Sequence, residues 1–143
     1  MHNFVDYFEE DEVCDLTSVS FVSPEFRGNL DFGVADEIEI LEANNKELII
    51  DFTRTLVYEN DDDVEPFLQV SATANFSVKE DFNDTIVLMS KTSDLENKIL
   101  ENEEFFLSST ISGVSLLISQ VLSSFGRVPV ITPPVFMSEE DEE

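Results

Sequence analysis

The first half of the chain alternates apolar and polar residues with the period of two that is typical of β-strands. Residues 37–41 (EIEIL) alternate in this way, and residues 47–58 place apolar side chains on one face that only Arg54 interrupts. The even-numbered positions of 68–78 are also apolar, and 13–22 is rich in β-branched residues. Together these segments predict four antiparallel strands.

The segments between these strands predict connections of different kinds. Residues 43–46 (ANNK) are typical of a tight turn, which makes the second and third strands a hairpin. Residues 60–65 are acidic and predict a loop before the fourth strand. Residues 23–36 contain a proline and two glycines but also Phe26 and Phe32, so we expect a long connection with apolar content.

Between residues 103 and 125 the apolar spacing changes to that of an α-helix. Glutamates at the start and Arg127 after the end suit the helix dipole, and Gly126 is typical of a helix C-terminus. The apolar stripe consists of Leu107, Ile111, Val114, Ile118, Val121 or Leu122, and Phe125. Residues 94–101 favour a further helical turn, and the pattern assigns no structure to the rest of 80–100.

The two faces of this predicted helix need separate explanations. Residues 105–125 carry no charge and, at roughly 30 Å, are long enough to cross a bilayer. Seven serines among them disfavour a membrane span, so we expect the stripe to cover the sheet. The residues off the stripe are Phe106, Gly113, Leu116 and Leu117. We therefore predict that a second subunit buries this other face.

The residues after the helix predict an extended segment followed by a tail. Residues 128–136 (VPVITPPVF) contain three prolines, which exclude a central strand and favour a path across a surface or edge. Residues 137–143 are mostly acidic and predict a disordered tail. We expect residues 1–136 to form a single domain.

The charge of the chain limits its partners. Asp and Glu number 32 against seven Lys and Arg, which gives a formal charge of −25. Many carboxylates lie in four clusters, which we interpret as solvated loops and tails: 6–15, 59–65, 101–104 and 139–143. Direct binding of nucleic acid is disfavoured, because contacts to phosphate need basic side chains. The same charge allows an alternative function, an acidic decoy or adaptor that mimics nucleic acid or binds a basic partner.

The residue types that most enzymes use are scarce. His2 is the only histidine and Cys14 the only cysteine, so imidazole-based catalysis, an intramolecular disulfide and a thiolate zinc site are disfavoured. The four glycines form no phosphate-binding loop, and residues 61–65 lack the ligand spacing of a calcium loop. We expect no enzyme activity, no metal and no cofactor.

The cysteine content and the N-terminal sequence bear on location. A lone cysteine is typical of a reducing compartment. The first residues, MHNFVD, do not show a basic region followed by an apolar run. We expect a cytoplasmic protein.

Several short motifs, taken in order, resemble the SecB and SecB-like export chaperones. They are SFVSP at 20–24, EPFL at 65–68, NFSV at 75–78, and a long helix ending in Phe-Gly before PPVF at 133–136. The resemblance covers roughly residues 13–136. It implies an α+β fold: a four-stranded antiparallel sheet with a crossover after strand 1, covered by one long helix.

The resemblance also implies an activity and partners. Members of this family hold unfolded or nascent polypeptides in apolar grooves without ATP. They deliver them to the SecA motor or, in SecB-like relatives, protect an antitoxin. A homo-oligomer, a dimer of dimers with helices between the sheets, is implied as well.

This chain departs from the family pattern at two places. The second C-terminal helix of SecB is missing, because the chain ends in residues 137–143. The fourth strand reads FLQV at 67–70 and lacks the acidic residue by which SecB docks SecA. SecA is therefore a weaker expectation than a polypeptide client.

The candidate client-binding residues are the apolar ones of the predicted crossover, the fourth strand, the helix and the C-terminal segment. They are Phe26, Phe32, Phe76, Leu116, Leu117 and Phe136. For each of the six a place in the protein core is an open alternative, and for Phe76 and Leu117 more than for Phe26 and Phe32. Buried apolar side chains contribute most to such contacts, about 1.5–3 kcal/mol when fully buried.

Overall fold

We describe the fold from a computed structural model of the chain. The described residues are 5, 8–21, 31–44, 46–59, 64–79, 94–124, 132–133 and 135–137.

Four strands form one antiparallel sheet. They are β1 (Phe8–Phe21), β2 (Asp31–Ala43), β3 (Glu47–Glu59) and β4 (Val64–Val78). Their order in the sheet is β1-β4-β3-β2, so β1 and β2 lie at opposite edges and the chain crosses between them. The predicted α+β class and the hairpin of β2 and β3 are confirmed.

The alternation read from the sequence decides which side chains face the core. On β4 the six even-numbered residues of 68–78 are buried, and on β3 the even-numbered residues of 48–56 are buried. Antiparallel register places the two sets side by side, as with Leu48 opposite Phe76 and Phe52 opposite Ala72. Arg54 lies on the same face and is fully buried.

Two strands are longer than the sequence indicated. β2 begins at Asp31, so Phe32 lies in a strand opposite Tyr58 and not in the connection to which we assigned it. Gly33 and Asp36 concealed the strand, since both residue types are disfavoured in strands. β1 begins at Phe8, which pairs with Val78, so much of the first acidic cluster lies in a strand and not in a loop.

The predicted long helix is divided at one residue. Helix α1 spans Asp94–Glu101, α2 spans Glu103–Phe106 and α3 spans Ser108–Ser124. Leu107 separates α2 from α3, with φ of −121°. The hydrogen bonds Leu107 N–H to the Glu103 carbonyl, 2.7 Å, and Ile111 N–H to the Leu107 carbonyl, 2.8 Å, continue the helical pattern across it.

The helices cover one face of the sheet. Helix α3 packs on β4 and β3, and α1 contacts β2. The predicted stripe is buried at Leu107, Ile111, Val114, Ile118 and Leu122, while Phe125 lies outside the described residues.

An aromatic cluster connects α2 to the sheet. The ring of Phe106 lies 5.1 Å from the rings of both Phe8 and Phe76, measured between centroids. Phe105 stacks on Phe76 at 5.8 Å. Phe106 is therefore a core residue, and our placement of it on the free face of the helix was wrong, because its ring is fully buried against Phe8 and Phe76 of the sheet.

Within the described residues, no helix is long and apolar enough to span a membrane.

Candidate binding groove

An apolar groove lies between the edge strand β1 and helix α3. Its volume is about 180 Å³. The residues that line it, called the β1 groove below, are Cys14, Leu16, Ala72, Thr110, Gly113, Val114 and Leu117.

The groove exists because β1 presents core-facing side chains that nothing in the described structure covers. Cys14 pairs with Ala74, Leu16 with Ala72 and Val19 with Val70, so all three face the same side as the buried residues of β4. Leu16 is nevertheless 56% exposed and Val19 41% exposed. Contiguous exposed apolar surface of this kind marks interaction sites in soluble proteins.

The helix wall of the groove is formed by Thr110, Gly113, Val114 and Leu117. Gly113 is exposed, and a Cβ atom added there would have nothing within 4 Å. The Cys14 thiol and the Thr110 hydroxyl lie 3.3 Å apart and connect the two walls at one end. Leu116, 61% exposed, follows on the outer side of the helix. Leu116 therefore adds one exposed apolar side chain beside the groove.

A buried ion pair lies on the other side of the same sheet face. The Arg54 guanidinium donates to both carboxylate oxygens of Asp36 at 2.8 and 2.7 Å, and both side chains are completely buried. The alternation of β3 makes this position core-facing, and strand pairing places Asp36 directly opposite. The charged pair takes the place of apolar residues that the pattern requires there.

The ion pair holds residues 132–137, here called the C-terminal strap. Arg54 donates to the Thr132 hydroxyl at 2.9 Å and to the carbonyls of Pro133 and Val135 at 2.6 and 2.9 Å. Asp36 accepts from the Met137 N–H at 2.8 Å, and its own N–H donates to the Met137 carbonyl at 2.8 Å. The described residues of the strap run over the β3 and β2 side of the sheet, as the predicted path across a surface or edge requires, while residues 128–131 lie outside the described part of the chain.

A larger cleft has acidic and apolar walls. It encloses about 860 Å³ where α1 and α2 meet the strap. Its carboxylates are Glu101, Glu103 and Glu104, and its apolar walls include Leu100 and Phe105. Glu103 is engaged, since its carboxylate accepts from the Phe136 N–H at 2.9 Å.

The six candidate residues fall in different places. Leu117 lines the β1 groove and Leu116 lies beside it. Phe136 is part of the strap, with its ring 6.2 Å from that of Phe52. Phe76 is 1% exposed within the aromatic cluster, which agrees with the core alternative and leaves it no surface for a client in this fold.

The remaining two candidates come from the predicted crossover. Only the backbone of Phe32 is described, in β2, and Phe26 lies outside the described residues. Of the four candidates whose side chains are described, the structure brings together only Leu116 and Leu117.

Sequence reasoning missed the β1 side of the groove. Cys14, Leu16 and Val19 were included in a strand, but their exposure follows from the edge position of β1. A sequence signal exists: the second half of β1 (Leu16–Phe21) lacks the charges by which proteins usually protect an edge strand.

The groove offers binding surface but little reactive chemistry. Cys14 is a free, exposed thiol. Among the described residues no group of three or more His, Cys, Asp or Glu side chains is placed to hold a metal ion.

A scan against protein-family models gave no match for this chain, and a search of curated proteins found no similar sequence.

Proposed function

We propose that this protein is an ATP-independent holding chaperone that binds unfolded or nascent polypeptides on exposed apolar surface. The observation that carries the proposal is the β1 groove, with Leu16 and Val19 exposed on the core-facing side of an edge strand. An extended client segment suits such a place, because it can fill an apolar groove and also pair with the free edge of a sheet.

The energetics favour weak, multiple contacts. Each large apolar side chain contributes at most about 1.5–3 kcal/mol on full burial, and ordering of a flexible client offsets part of that. One groove of this size therefore binds weakly. Several copies in one assembly would raise the affinity by linkage, which is consistent with the homo-oligomer, a dimer of dimers, that we expect.

The fold supports the SecB-like part of the proposal. The order β1-β4-β3-β2 contains the crossover after strand 1 that the resemblance implies, and α3 lies on the sheet. Leu116 and Gly113 leave one face of α3 uncovered, as expected for a helix between two sheets. SecA or an antitoxin as specific partners, and a cytoplasmic location, remain part of the proposal.

The test is suppression of aggregation. A chemically denatured client is diluted into buffer with the protein and without nucleotide, and light scattering is recorded. We expect suppression at near-stoichiometric amounts of protein. No suppression for several unrelated clients would reject the proposal.

A second candidate function follows from charge. Glu37, Glu39 and Asp15 are exposed, and 32 Asp and Glu face only seven Lys and Arg in the sequence, so most carboxylates are not neutralised by a basic side chain. This favours an acidic decoy or adaptor for a basic partner. Binding of such a partner would weaken steeply between 50 and 500 mM salt, whereas apolar capture would change little, because salt screens exposed charges over ~10 Å at 0.1 M.

A further inference from the structure

The strap is held mainly through its own backbone. Arg54 reaches the carbonyls of Pro133 and Val135, and Asp36 bonds both the N–H and the carbonyl of Met137. These contacts recur at every second residue, which is the repeat of an extended chain. Any extended polypeptide carries the same groups at the same spacing.

The side chains that bind the strap are held in place by hydrogen bonds among themselves. A guanidinium has five N–H groups, and those of Arg54 are directed at Asp36, Ser115 and the strap. The Ser115 hydroxyl also lies 2.8 Å from the Thr132 hydroxyl. The polar floor is therefore fixed by β2, β3 and α3, while the described residues of the strap belong to no strand or helix.

Phe136 and Met137 of the strap pack against the hydrophobic core, and Phe136 is the aromatic one of the two. The ring of Phe136 meets the ring of Phe52 edge to face at 6.2 Å, with 62° between their planes. Phe136 is only partly buried, and Val135 is half exposed. The strap thus resembles a bound peptide: backbone recognition with one aromatic anchor.

We propose that the strap is an intramolecular pseudo-client: it occupies a second binding site, for an extended polypeptide segment with one aromatic residue, and such a segment displaces it. The inference rests on the proposed holding function, since that function supplies the competing segments. A client binds this site only in the fraction of molecules whose strap is released. A variant that weakens the strap but keeps Asp36 and Arg54 raises the fraction of molecules with a released strap. The apparent client affinity rises by the same factor as that fraction.

The experiment uses the full chain and a synthetic peptide with the sequence VITPPVFMS, residues 130–138. We compare the wild type with Phe136→Ala, which removes the anchor, and Val135→Ala, a matched strap change whose side chain is half exposed. Peptide binding is measured by fluorescence anisotropy, and exchange of the Met137 amide by hydrogen–deuterium exchange. We expect Phe136→Ala to bind the peptide about tenfold more tightly, and Val135→Ala to bind it as the wild type does.

A milder variant protects the test against misfolding. Thr132→Ala removes one strap hydroxyl, while the same Arg54 nitrogen keeps Ser115 and the Pro133 carbonyl as acceptors. We expect a smaller gain in peptide affinity, about threefold, in a folded protein. The proposal would be overturned if Phe136→Ala and Thr132→Ala bind the peptide with the same affinity as the wild type while circular dichroism shows that all three proteins are folded.

The result separates this inference from the proposed function. If the wild type suppresses aggregation but strap variants bind peptide no better, the strap inference fails alone. If strap variants bind the peptide and no variant suppresses aggregation, the holding function fails and the peptide site stands.

Discussion

The same face of one sheet is closed on one side and open on the other. On the β2 and β3 side, helix α3 and the strap cover the sheet, and even the charged residues Asp36 and Arg54 are fully buried. On the β1 side, Leu16 and Val19 are exposed although they face the same direction. Hydrophobic character therefore does not distinguish the two sides, since the more polar one is the better buried.

Burial of the sheet face therefore depends on which segments pass over each strand. The closed side receives a strap that arrives from about 80 residues away along the chain, as the separation of 81 between Arg54 and Val135 shows. In the described residues, no corresponding segment crosses β1. Binding of another chain would bury the apolar side chains of the open side. For this reason we propose the primary client surface there.

The largest expected effect is on the closed side. Arg54→Met leaves the Asp36 carboxylate buried without its cation, and removing one member of a buried pair typically costs about 3–5 kcal/mol of unfolding free energy. Urea unfolding followed by circular dichroism measures it. Lys98→Met is the matched control, because Lys98 and Glu101 form an exposed pair at 3.7 Å and its loss should cost less than about 1 kcal/mol. Equal losses of unfolding free energy in the two variants would show that the Arg54–Asp36 ion pair does not stabilise the closed side.

The aromatic cluster gives the next effect. Phe76→Ala opens a cavity among Phe8, Phe105 and Phe106, and we expect a loss of about 3 kcal/mol in unfolding free energy. The measurement is thermal or urea unfolding, with client holding recorded below the midpoint. Unchanged stability with reduced holding would instead return Phe76 to the client surface.

The open side should respond in function and not in stability. Leu16→Ser changes a side chain that is 56% exposed, so its unfolding free energy should stay within about 0.5 kcal/mol of the wild type. Client affinity should fall roughly three- to tenfold, because apolar contact in the β1 groove is lost. Leu41→Ser is the control, since Leu41 is 49% exposed on β2 at the opposite edge. An equal loss of client affinity in both variants would mean that client binding does not depend on the apolar surface of β1.

The smallest expected effect is on the rate at which a maleimide labels Cys14. Cys14 is the only cysteine and lines the β1 groove, so a maleimide labels one known place. We expect bound client to slow labelling about twofold or more, read by mass spectrometry. The control is Cys14→Ser combined with Ser20→Cys, because Ser20 is exposed opposite Gln69 on the other face of the sheet. Equal protection at both positions would argue against binding in the groove.

Part of this protein follows from the order of its residues. Period-two alternation is a property of neighbouring residues, so it predicted the buried faces of β3 and β4. The residue types of 43–46 predicted the turn between β2 and β3. Spacing of three and four likewise predicted the buried stripe of α3. Gly33 and Asp36 interrupted the same signal and hid the first part of β2.

The site was predicted less well than the fold. Leu116 and Leu117 were identified as off-stripe residues, because a helix has only one face for its sheet. For Phe76 the sequence left client binding and the core as alternatives, because it does not show that Phe8 and Phe106 enclose this ring.

The amino-acid sequence by itself determined the faces of the strands and of the helix, since these depend on residues a few positions apart. Only the tertiary structure decided that Arg54, an interruption in the pattern, meets Asp36 from 18 residues away and the strap from 78 to 81 residues away. It also decided that β1 is an edge strand with exposed apolar residues. Such pairings depend on how distant segments pack together, and no local periodicity carries that information.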